Sequence, residues 1–371
     1  MSKKILLSVA LVATLTVLAG CQLGKPASQP AEQQSKIKVG VILPLTGFIA
    51  EYGIAGQNAA ELAKKDSAFV ADNIQFIYED SQNDPKQAVS AFNKLKNVDH
   101  VQAIINWGST TAYALAPLAK QADMPLFAMT VEKGIVGDSK YITRVSSSGE
   151  DYALANLAYL RSKGIKKIGA LKLELVYCYE VVAGTEKNLA TDETFEVIDN
   201  FQFNDQDFKT TIAKLKNKQY DAIALLLSDS QTIDFMRQAK EMGYSNTFFG
   251  TDWLDSKSLI DKSNGVLDGI FFAAPIVNDE FRSRYIKEFG NDNQIASGSG
   301  LMYDFVMAWS KNLQGIKNPS TDQLISAAEN IKDFPGVMGD VSFVKKDSDR
   351  YIKFPLPIKL IENGQLKIVS Q

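Results

Sequence analysis

Short runs rich in β-branched and aliphatic residues alternate along the chain with segments in which apolar residues recur every three to four positions. This alternation is typical of strand–helix–strand units, so it predicts parallel sheets covered by helices. A first series of strands is expected at residues 37–43, 74–79, 101–105, 126–129 and 141–145. A second series is expected at 167–171, 194–198, 221–227, 247–250 and 269–274, before closing strands at 341–343 and 353–361. The fold class is therefore α/β.

The number of residues favours two lobes rather than one. The sequence has 371 residues, and a single hydrophobic core usually stops growing below that size. The second series of strands and helices begins near Gly149, which suggests that one lobe ends there.

The amino end predicts export and a lipid anchor. Lys3 and Lys4 precede an apolar run over residues 5–17 that is shorter than the roughly 20 residues needed to span a bilayer. The run ends in Leu-Ala-Gly and Cys21, which resembles the bacterial lipobox. We therefore expect a signal peptide at 1–20, a lipidated Cys21 and a disordered tether over 21–36, because this stretch is rich in proline and polar residues.

Composition excludes several function classes. The formal net charge is −3 without long charged blocks, which argues against nucleic acid as a partner. His100 is the only histidine and Cys178 the only other cysteine, so a multi-histidine metal site is excluded and a histidine-based triad is improbable. Phosphate-loop and nucleophile-elbow motifs are also absent. We expect no enzyme activity, no cofactor and no metal.

Candidate ligand contacts follow from where the strands end, because ligands of open parallel sheets sit beyond the carboxyl ends of the strands. The residues at those positions are Thr46, Gly47, Asp80, Ser109, Thr110, Thr130, Tyr177, Ser228, Asp229 and Asp252. Hydroxyls and acids dominate this set, which suits a small solute that forms hydrogen bonds.

Several local motifs resemble those of the leucine/isoleucine/valine-binding proteins of bacterial ABC transporters. They are the segment VGVILPLTG at 39–47 with Tyr52-Gly53, EDSQNDPKQAV at 79–89, RQAKEMG at 237–243, FPGVMGDVSF at 334–343, DSDR at 347–350 and ENG at 362–364. Together they cover nearly the whole chain after the tether, in the expected order.

The resemblance implies a type I periplasmic-binding (Venus-flytrap) fold, in which two doubly wound parallel-sheet lobes are joined by three hinge crossings. We place the N-terminal lobe at 37–149 plus 276–334 and the C-terminal lobe at 150–275 plus 335–371. The hinge crossings are then expected near Gly149, Pro275 and Phe334.

The resemblance also implies roles for individual residues. Ser109 and Thr110 match the family's hydroxyl pair, which suits a carboxylate at a helix N-terminus; the alternative role of Ser109 is a plain helix cap. Asp252 falls where the family places an acid for the ligand's ammonium, and its alternative role is also a cap. Thr130 and Tyr177 match further ligand positions, although Cys178 replaces the glycine that usually follows this tyrosine.

Aromatic residues are expected around the ligand side chain. Tyr52 and Tyr303 match such positions, with ordinary packing inside a lobe as the alternative. Trp107 and Phe48 are further candidates for the walls of the pocket, because they lie close in sequence to the same loops.

Two departures from the family pattern suggest a more polar pocket than one built for leucine. Glu132 and Lys133 replace a small residue and a threonine. Either both charges point to solvent, or Lys133 meets an acidic group of the ligand. Asp229 stands near a family aromatic position.

The resemblance implies an extracytoplasmic lipoprotein, anchored in the membrane through Cys21, that binds a small zwitterion, in particular an amino acid, and delivers it to an ABC permease. The alternative is a sensory or regulatory module of the same fold for a short amide, urea or a dicarboxylate. The anchor is expected either on the periplasmic side of a two-membrane cell or on the outer surface of a one-membrane cell.

Overall fold

The computed structural model describes residues 36–292, 295–346 and 348–370. The predicted signal peptide, Cys21 and the tether up to residue 35 lie outside the described residues. In the described part of the chain no helix has both the length and the apolar character needed to cross a membrane.

The strands and helices alternate for most of the chain. The strands are β1 (Ile37–Leu43), β2 (Ile74–Asp80), β3 (Ala103–Trp107), β4 (Leu126–Met129), β5 (Ile142–Arg144), β6 (Lys167–Leu173), β7 (Thr194–Phe201), β8 (Ala222–Leu226), β9 (Thr247–Phe249), β10 (Phe271–Ala273), β11 (Phe334–Gly336), β12 (Gly339–Lys346), β13 (Asp349–Lys353), β14 (Ile358–Glu362) and β15 (Gln365–Ser370). The α-helices are α1 (Ala50–Asp66), α2 (Ala68–Asn73), α3 (Pro85–Lys94), α4 (Ser109–Gln121), α5 (Gly149–Ser162), α6 (Val176–Lys187), α7 (Lys209–Lys216), α8 (Asp229–Glu241), α9 (Lys257–Lys262), α10 (Asp279–Phe289), α11 (Leu301–Leu313) and α12 (Thr321–Glu329).

The first lobe is built on an eight-stranded sheet in the order β11-β12-β13-β5-β4-β3-β1-β2. Strands β1 to β5 pair in parallel, and the order reverses around β1, which places the β1 and β3 ends at a topological switch point. One face of the sheet packs against α1, α11 and α12, with Trp309 fully buried there, and the other packs against α3 and α4.

The second lobe is built on a seven-stranded sheet in the order β15-β14-β10-β9-β8-β6-β7. Strands β6 to β10 are parallel, and β14 and β15 complete the sheet in antiparallel pairing. Every residue of β8 is buried, as expected for a central strand covered on both faces. The predicted α/β architecture with two doubly wound lobes is confirmed.

The chain crosses between the sheets three times, but the third crossing differs from the predicted position near Phe334. Strands β11, β12 and β13 belong to the first sheet, and β14 is the next strand to join the second. Strands β11 to β13 therefore lie in the N-terminal lobe, which corrects the predicted boundary. Pro355 and Pro357 explain the difference, because they separate β13, which ends at Lys353, from β14, which begins at Ile358.

A short π-helical turn at Ile295–Gly300 precedes α11 and packs tightly on α1. A methyl group at Gly298 would lie 2.7 Å from the Cβ atom of Ala55, so only glycine permits this close approach. The glycine-rich stretch that contains Ser297 is thus a packing device, and it fixes the position of Ser297 at the cleft between the lobes.

Candidate functional site

A cavity of about 90 Å³ lies between the lobes. The first lobe contributes residues that follow β3 and β4, together with α1 and the π-helical turn. The second lobe contributes residues that follow β6 and β9, together with α5. The cavity thus lies beyond the carboxyl ends of parallel strands of both sheets, where the rule for open α/β sheets places ligands.

The N-terminus of α4 forms one pole of the cavity. Gly108, which precedes the helix with a φ of 112°, has no side chain to cap it, so the first N–H groups of α4 have no partner within the helix. Gly108, Ser109 and Thr110 line the cavity. The hydroxyl of Thr130 donates to Ser109 Oγ at 2.8 Å. Backbone N–H groups, hydroxyls and the positive end of the helix dipole converge here, which favours an anion.

Asp252 forms the opposite pole. Its carboxylate accepts hydrogen bonds from Tyr177 Oη at 2.9 Å, Ser297 Oγ at 2.9 Å and Tyr152 Oη at 3.2 Å. The bond from Ser297 crosses from the first lobe to the second. The side chain is buried, and within the described residues no lysine, arginine or histidine lines the cavity.

The electrostatics of this pole are set by the burial of Asp252 in a cavity that no cationic side chain of the described residues lines. Desolvation raises the pKa of Asp252, and the three hydroxyl hydrogen bonds oppose that rise only in part. Desolvation, followed by the repulsion from Asp252, also raises the pKa values of Tyr52, Tyr152 and Tyr177. These tyrosines therefore stay protonated and remain donors at neutral pH, and the site favours an incoming positive charge.

Aromatic rings form a large part of the remaining wall. Tyr52 packs on Trp107 in the first lobe, with ring centroids 4.6 Å apart. Tyr177 stacks on Trp253 in the second lobe at 5.5 Å. Phe203 adds a ring from the second lobe and contacts Phe48 of the first lobe at 4.5 Å. Phe48 is 62 % exposed, so this contact lies at the mouth of the cleft.

The structure brings most of the predicted site residues together. Those that line the cavity are Tyr52, Ser109, Thr110, Thr130, Tyr177 and Asp252, and Trp107 lines it as well. Asp252 opens a short 3₁₀ turn at Asp252–Leu254, but its side chain caps nothing there and faces the three hydroxyls instead.

Tyr303 and Asp229 do not line this cavity. Tyr303 lies in the core of the first lobe, against Phe281, and its hydroxyl donates to Asp66 at 2.6 Å, so packing within the lobe is its role. Asp229 begins α8 in a neighbouring cleft, which shares Tyr52 and Trp253 with the cavity. We expected these two side chains to face the ligand, but neither of them lines this cavity.

Glu132 and Lys133 also lie outside the cavity. The Glu132 side chain accepts from the Gly134 backbone N–H at 2.7 Å and begins a short turn. Lys133 forms an ion pair with Glu150 of α5, which lowers the pKa of Glu150 to about 2. The two charges serve the structure of the cleft rim, and Lys133 already has a partner in the protein.

Sequence reasoning missed residues that complete the Asp252 pole. Tyr152 lies on α5 and Ser297 on the π-helical turn, so neither follows a strand, and the strand-end rule does not find them. Asn83 also lines the cavity, from a loop position with a φ of 55°. Its place in the motif at 79–89 was the available signal.

The Arg144 side chain, which is fully buried, positions one wall of the site. It forms a two-point ion pair with Asp349, at 3.0 and 2.7 Å, and donates to the backbone carbonyl groups of Thr130 and Ser146. The loop after β4 is thereby tied to the segment that leaves the first lobe. No cluster of three or more His, Cys, Asp or Glu residues in the described ranges has the arrangement of a metal site.

Comparison with known proteins agrees with this architecture. The chain is 24 % identical over 265 residues to the Leu/Ile/Val-binding protein of Escherichia coli (strain K12), covering 64 % of this chain and 67 % of that protein. A leucine-binding protein from Thermotoga maritima superimposes with a TM-score of 0.79 at 19 % identity, covering 90 % of this chain and 98 % of that one. A solute-binding protein from Rhodopseudomonas palustris BisB5, solved with 3,4-dihydroxybenzoic acid, gives a TM-score of 0.78 at 23 % identity, covering 91 % and 96 %.

These likenesses establish a type I periplasmic-binding fold, and the relatives are binding proteins rather than enzymes. The family model described as periplasmic binding protein matches residues 36–350, which is most of the chain. The chain therefore belongs to the periplasmic binding protein family, as a solute-binding protein.

Proposed function

We propose that this chain is the extracytoplasmic solute-binding component of an ABC importer, and that it captures a small zwitterion, an amino acid or a close derivative, between its lobes. One observation carries the proposal: a single cavity has an anion-binding helix N-terminus on one side and a buried acid without a cation on the other. A molecule with one negative and one positive end satisfies both.

The ligand's carboxylate binds at the N-terminus of α4. The N–H groups of Ser109 and Thr110 and the hydroxyl of Ser109 supply donors, Thr130 donates to Ser109 Oγ and so leaves the Ser109 proton for the ligand, and the dipole of a thirteen-residue helix adds positive potential. The arrangement needs no arginine or lysine.

The ligand's cationic group binds beside Asp252. A carboxylate buried with neutral hydroxyl partners keeps a large part of its desolvation cost, and a cation in the cavity removes it. Tyr52, Trp107, Tyr177 and Trp253 then enclose the apolar part of the ligand.

Closure of the lobes supplies both affinity and the signal to the permease. The Ser297–Asp252 hydrogen bond and the contact between Phe48 and Phe203 join the lobes around the cavity, so a ligand that pairs Asp252 favours the closed form. The permease then recognises the closed form of the protein. Lipidation of Cys21 holds it at the membrane.

The aromatic walls favour a second candidate, an aromatic acid, and the Rhodopseudomonas palustris neighbour was solved with such a compound. A benzoate has no positive end, so it leaves Asp252 without a cation. This candidate requires Asp252 to bind as the neutral acid, for which its raised pKa is a precondition.

Calorimetric titration of the protein, refolded to remove bound solute, tests the proposal. The panel contains amino acids, benzoate and 3,4-dihydroxybenzoate. We expect an amino acid or N-substituted amino acid to bind with micromolar affinity, and Asp252→Asn to weaken it at least 30-fold, about 2 kcal/mol. The matched control is Asp138→Asn, at an exposed acid paired only with Lys120.

Binding of benzoates alone, unaffected by Asp252→Asn, would contradict the zwitterion proposal and support the second candidate. Binding of urea or a neutral amide alone would support a sensory module. For the anchor, incorporation of labelled fatty acid into the wild type but not into Cys21→Ala is expected, and labelling of both would contradict it.

A further inference from the structure

We infer that the cationic end of the ligand is an N-alkylated ammonium, tertiary or quaternary, rather than a primary amine. The inference rests on the proposed function, since it specifies the group that pairs with Asp252. Two observations carry it, the hydrogen bonds that Asp252 already accepts and the aromatic rings of the cavity, and the size of the cavity limits the rest of the ligand.

Asp252 has little hydrogen-bonding capacity left. An ionised carboxylate offers about four lone-pair positions, and hydroxyls of Tyr152, Tyr177 and Ser297 occupy three of them. A primary ammonium carries three N–H donors that lose water in a closed site and need acceptors. A quaternary ammonium has no N–H donors, so Asp252 can compensate its charge while its hydroxyl partners stay in place.

The second observation concerns the aromatic rings that line the cavity. Five rings that line the cavity form two groups, one from each lobe: Tyr52 packs on Trp107, and Tyr177 stacks on Trp253 with Tyr152 at 6.1 Å from Tyr177, edge to face. Aromatic cages recognise quaternary ammonium groups because ring faces attract a cation that is weakly hydrated. Here the cage comes from both lobes, so the cation also holds the lobes together.

The volume limits the size of the ligand. At 10–15 Å³ per water-sized position, a cavity of about 90 Å³ holds roughly six to nine such positions. A trimethylated glycine or alanine falls in that range, as valine and leucine do, while an aromatic amino acid exceeds it, so the volume restricts the ligand's size and not the substitution of its nitrogen. The anionic end of this small betaine binds the N-terminus of α4.

Matched pairs of ligands test the inference by calorimetry and by tryptophan fluorescence, to which Trp107 and Trp253 in the cavity contribute. Each pair is an amino acid and its N,N,N-trimethyl derivative, with 3,3-dimethylbutanoate as the isostere of trimethylglycine that keeps the carboxylate and lacks the positive charge. We expect trimethylglycine or trimethylalanine to bind at least tenfold more tightly than its parent, and 3,3-dimethylbutanoate to bind at least a hundredfold more weakly than trimethylglycine.

Two variants separate the cage from the carboxylate. Trp253→Leu removes a ring and should weaken the trimethylated ligand about tenfold. Tyr177→Phe keeps the ring but frees a lone pair of Asp252, so it should shift selectivity toward the parent amino acid. The matched control is Tyr220→Phe, whose hydroxyl bonds Glu196 on the surface of the second lobe and should leave both affinities unchanged.

The outcomes distinguish the two proposals. Parent amino acids that bind as tightly as their trimethyl derivatives, or more tightly, would overturn the alkylammonium inference and leave the zwitterion function intact. Equal binding of trimethylglycine and 3,3-dimethylbutanoate would overturn both, because recognition would not depend on a positive charge.

Discussion

Asp252 and Asp255 lie three residues apart in the segment after β9, and each is 5 % exposed. Asp255 forms an ion pair with Lys359 of β14 at 2.8 Å, and both side chains are 4 % exposed. Asp252 has only hydroxyl partners, one of them from the other lobe. Two acids with the same burial thus differ in whether the protein supplies the opposite charge.

The difference teaches how one segment serves both stability and binding. A buried carboxylate is costly unless a positive charge compensates it. Asp255 is compensated within the fold, so it holds β14 to the segment after β9. Asp252 is uncompensated, and its raised pKa reflects that cost. In the proposed function the ligand supplies the missing charge, so that binding removes this desolvation cost.

The largest effect is expected from breaking the internal pair. Lys359→Met leaves Asp255 as a buried charge without its cation, so we expect the free energy of unfolding to fall by about 3–5 kcal/mol, measured by urea denaturation. The matched control is Lys257→Met, which breaks an exposed pair with Asp261 on α9 and should cost less than about 1 kcal/mol. Equal losses would show that the buried Asp255–Lys359 pair contributes no more to stability than an exposed pair does.

The second prediction concerns the stabilisation that the ligand provides. At a hundred times its dissociation constant, a ligand stabilises the native state by about 2.7 kcal/mol. At the ligand concentration that stabilises the wild type by this amount, Asp252→Asn should lose most of the ligand-dependent stabilisation. Without ligand, this variant should be as stable as the wild type. Asp255→Asn should destabilise the free protein and keep the ligand-dependent increment. The reverse pattern in thermal unfolding would contradict the assignment.

The third prediction uses pH. Asp252 must be ionised to pair with a cation, and desolvation raises its pKa, so affinity should fall as the pH is lowered through that raised value. Tyr152→Phe removes a hydrogen bond that lowers this pKa, so the fall should occur at higher pH. Calorimetric titrations between pH 4 and 8 measure it, and a midpoint that does not move would exclude coupling between the two residues.

The smallest effect involves a third acid, which is compensated by protonation. Desolvation, and then the nearby Glu132, raise the pKa of Glu180 to about 7 from an ordinary value of 4.5. The folded state then holds a proton that the unfolded state releases, so this contribution to stability is complete below pH 4.5 and is lost as the pH rises through about 7. Glu180 is partly exposed, so the effect is small.

Glu180→Gln tests this third acid. We expect the wild type to lose stability relative to the variant between pH 5 and 8, measured as the difference in unfolding free energy at each pH. A constant difference across that range would show that the Glu180 proton is not linked to folding.

Much of the site could be predicted because parallel sheets place strand ends together. Ser109, Thr130 and Asp252 all follow strands, and the structure gathers them around one cavity. Tyr152 and Ser297 were missed because long-range packing, not a strand end, brings them to Asp252. Tyr303 was misplaced because an aromatic residue on an amphipathic helix fits a core as well as a pocket.

The third crossing between the lobes is the part of the fold whose position the sequence did not predict. The prolines at 355 and 357 are the local mark of the exchange between sheets. Local pattern predicts that strands form there, but the partner of each strand depends on contacts far apart in sequence. The boundary at Phe334 was therefore wrong, although strands were expected at 341–343 and 353–361.

The central claim is that the ligand supplies the cation that Asp252 lacks, and a crystal structure of the protein with its tightest-binding solute tests it most directly. The account predicts a positively charged nitrogen within about 6 Å of the Asp252 carboxylate and the ring faces around it, with the ligand's carboxylate at the N-terminus of α4. A ligand without a positive group beside Asp252, or one that places its carboxylate there, would contradict the account.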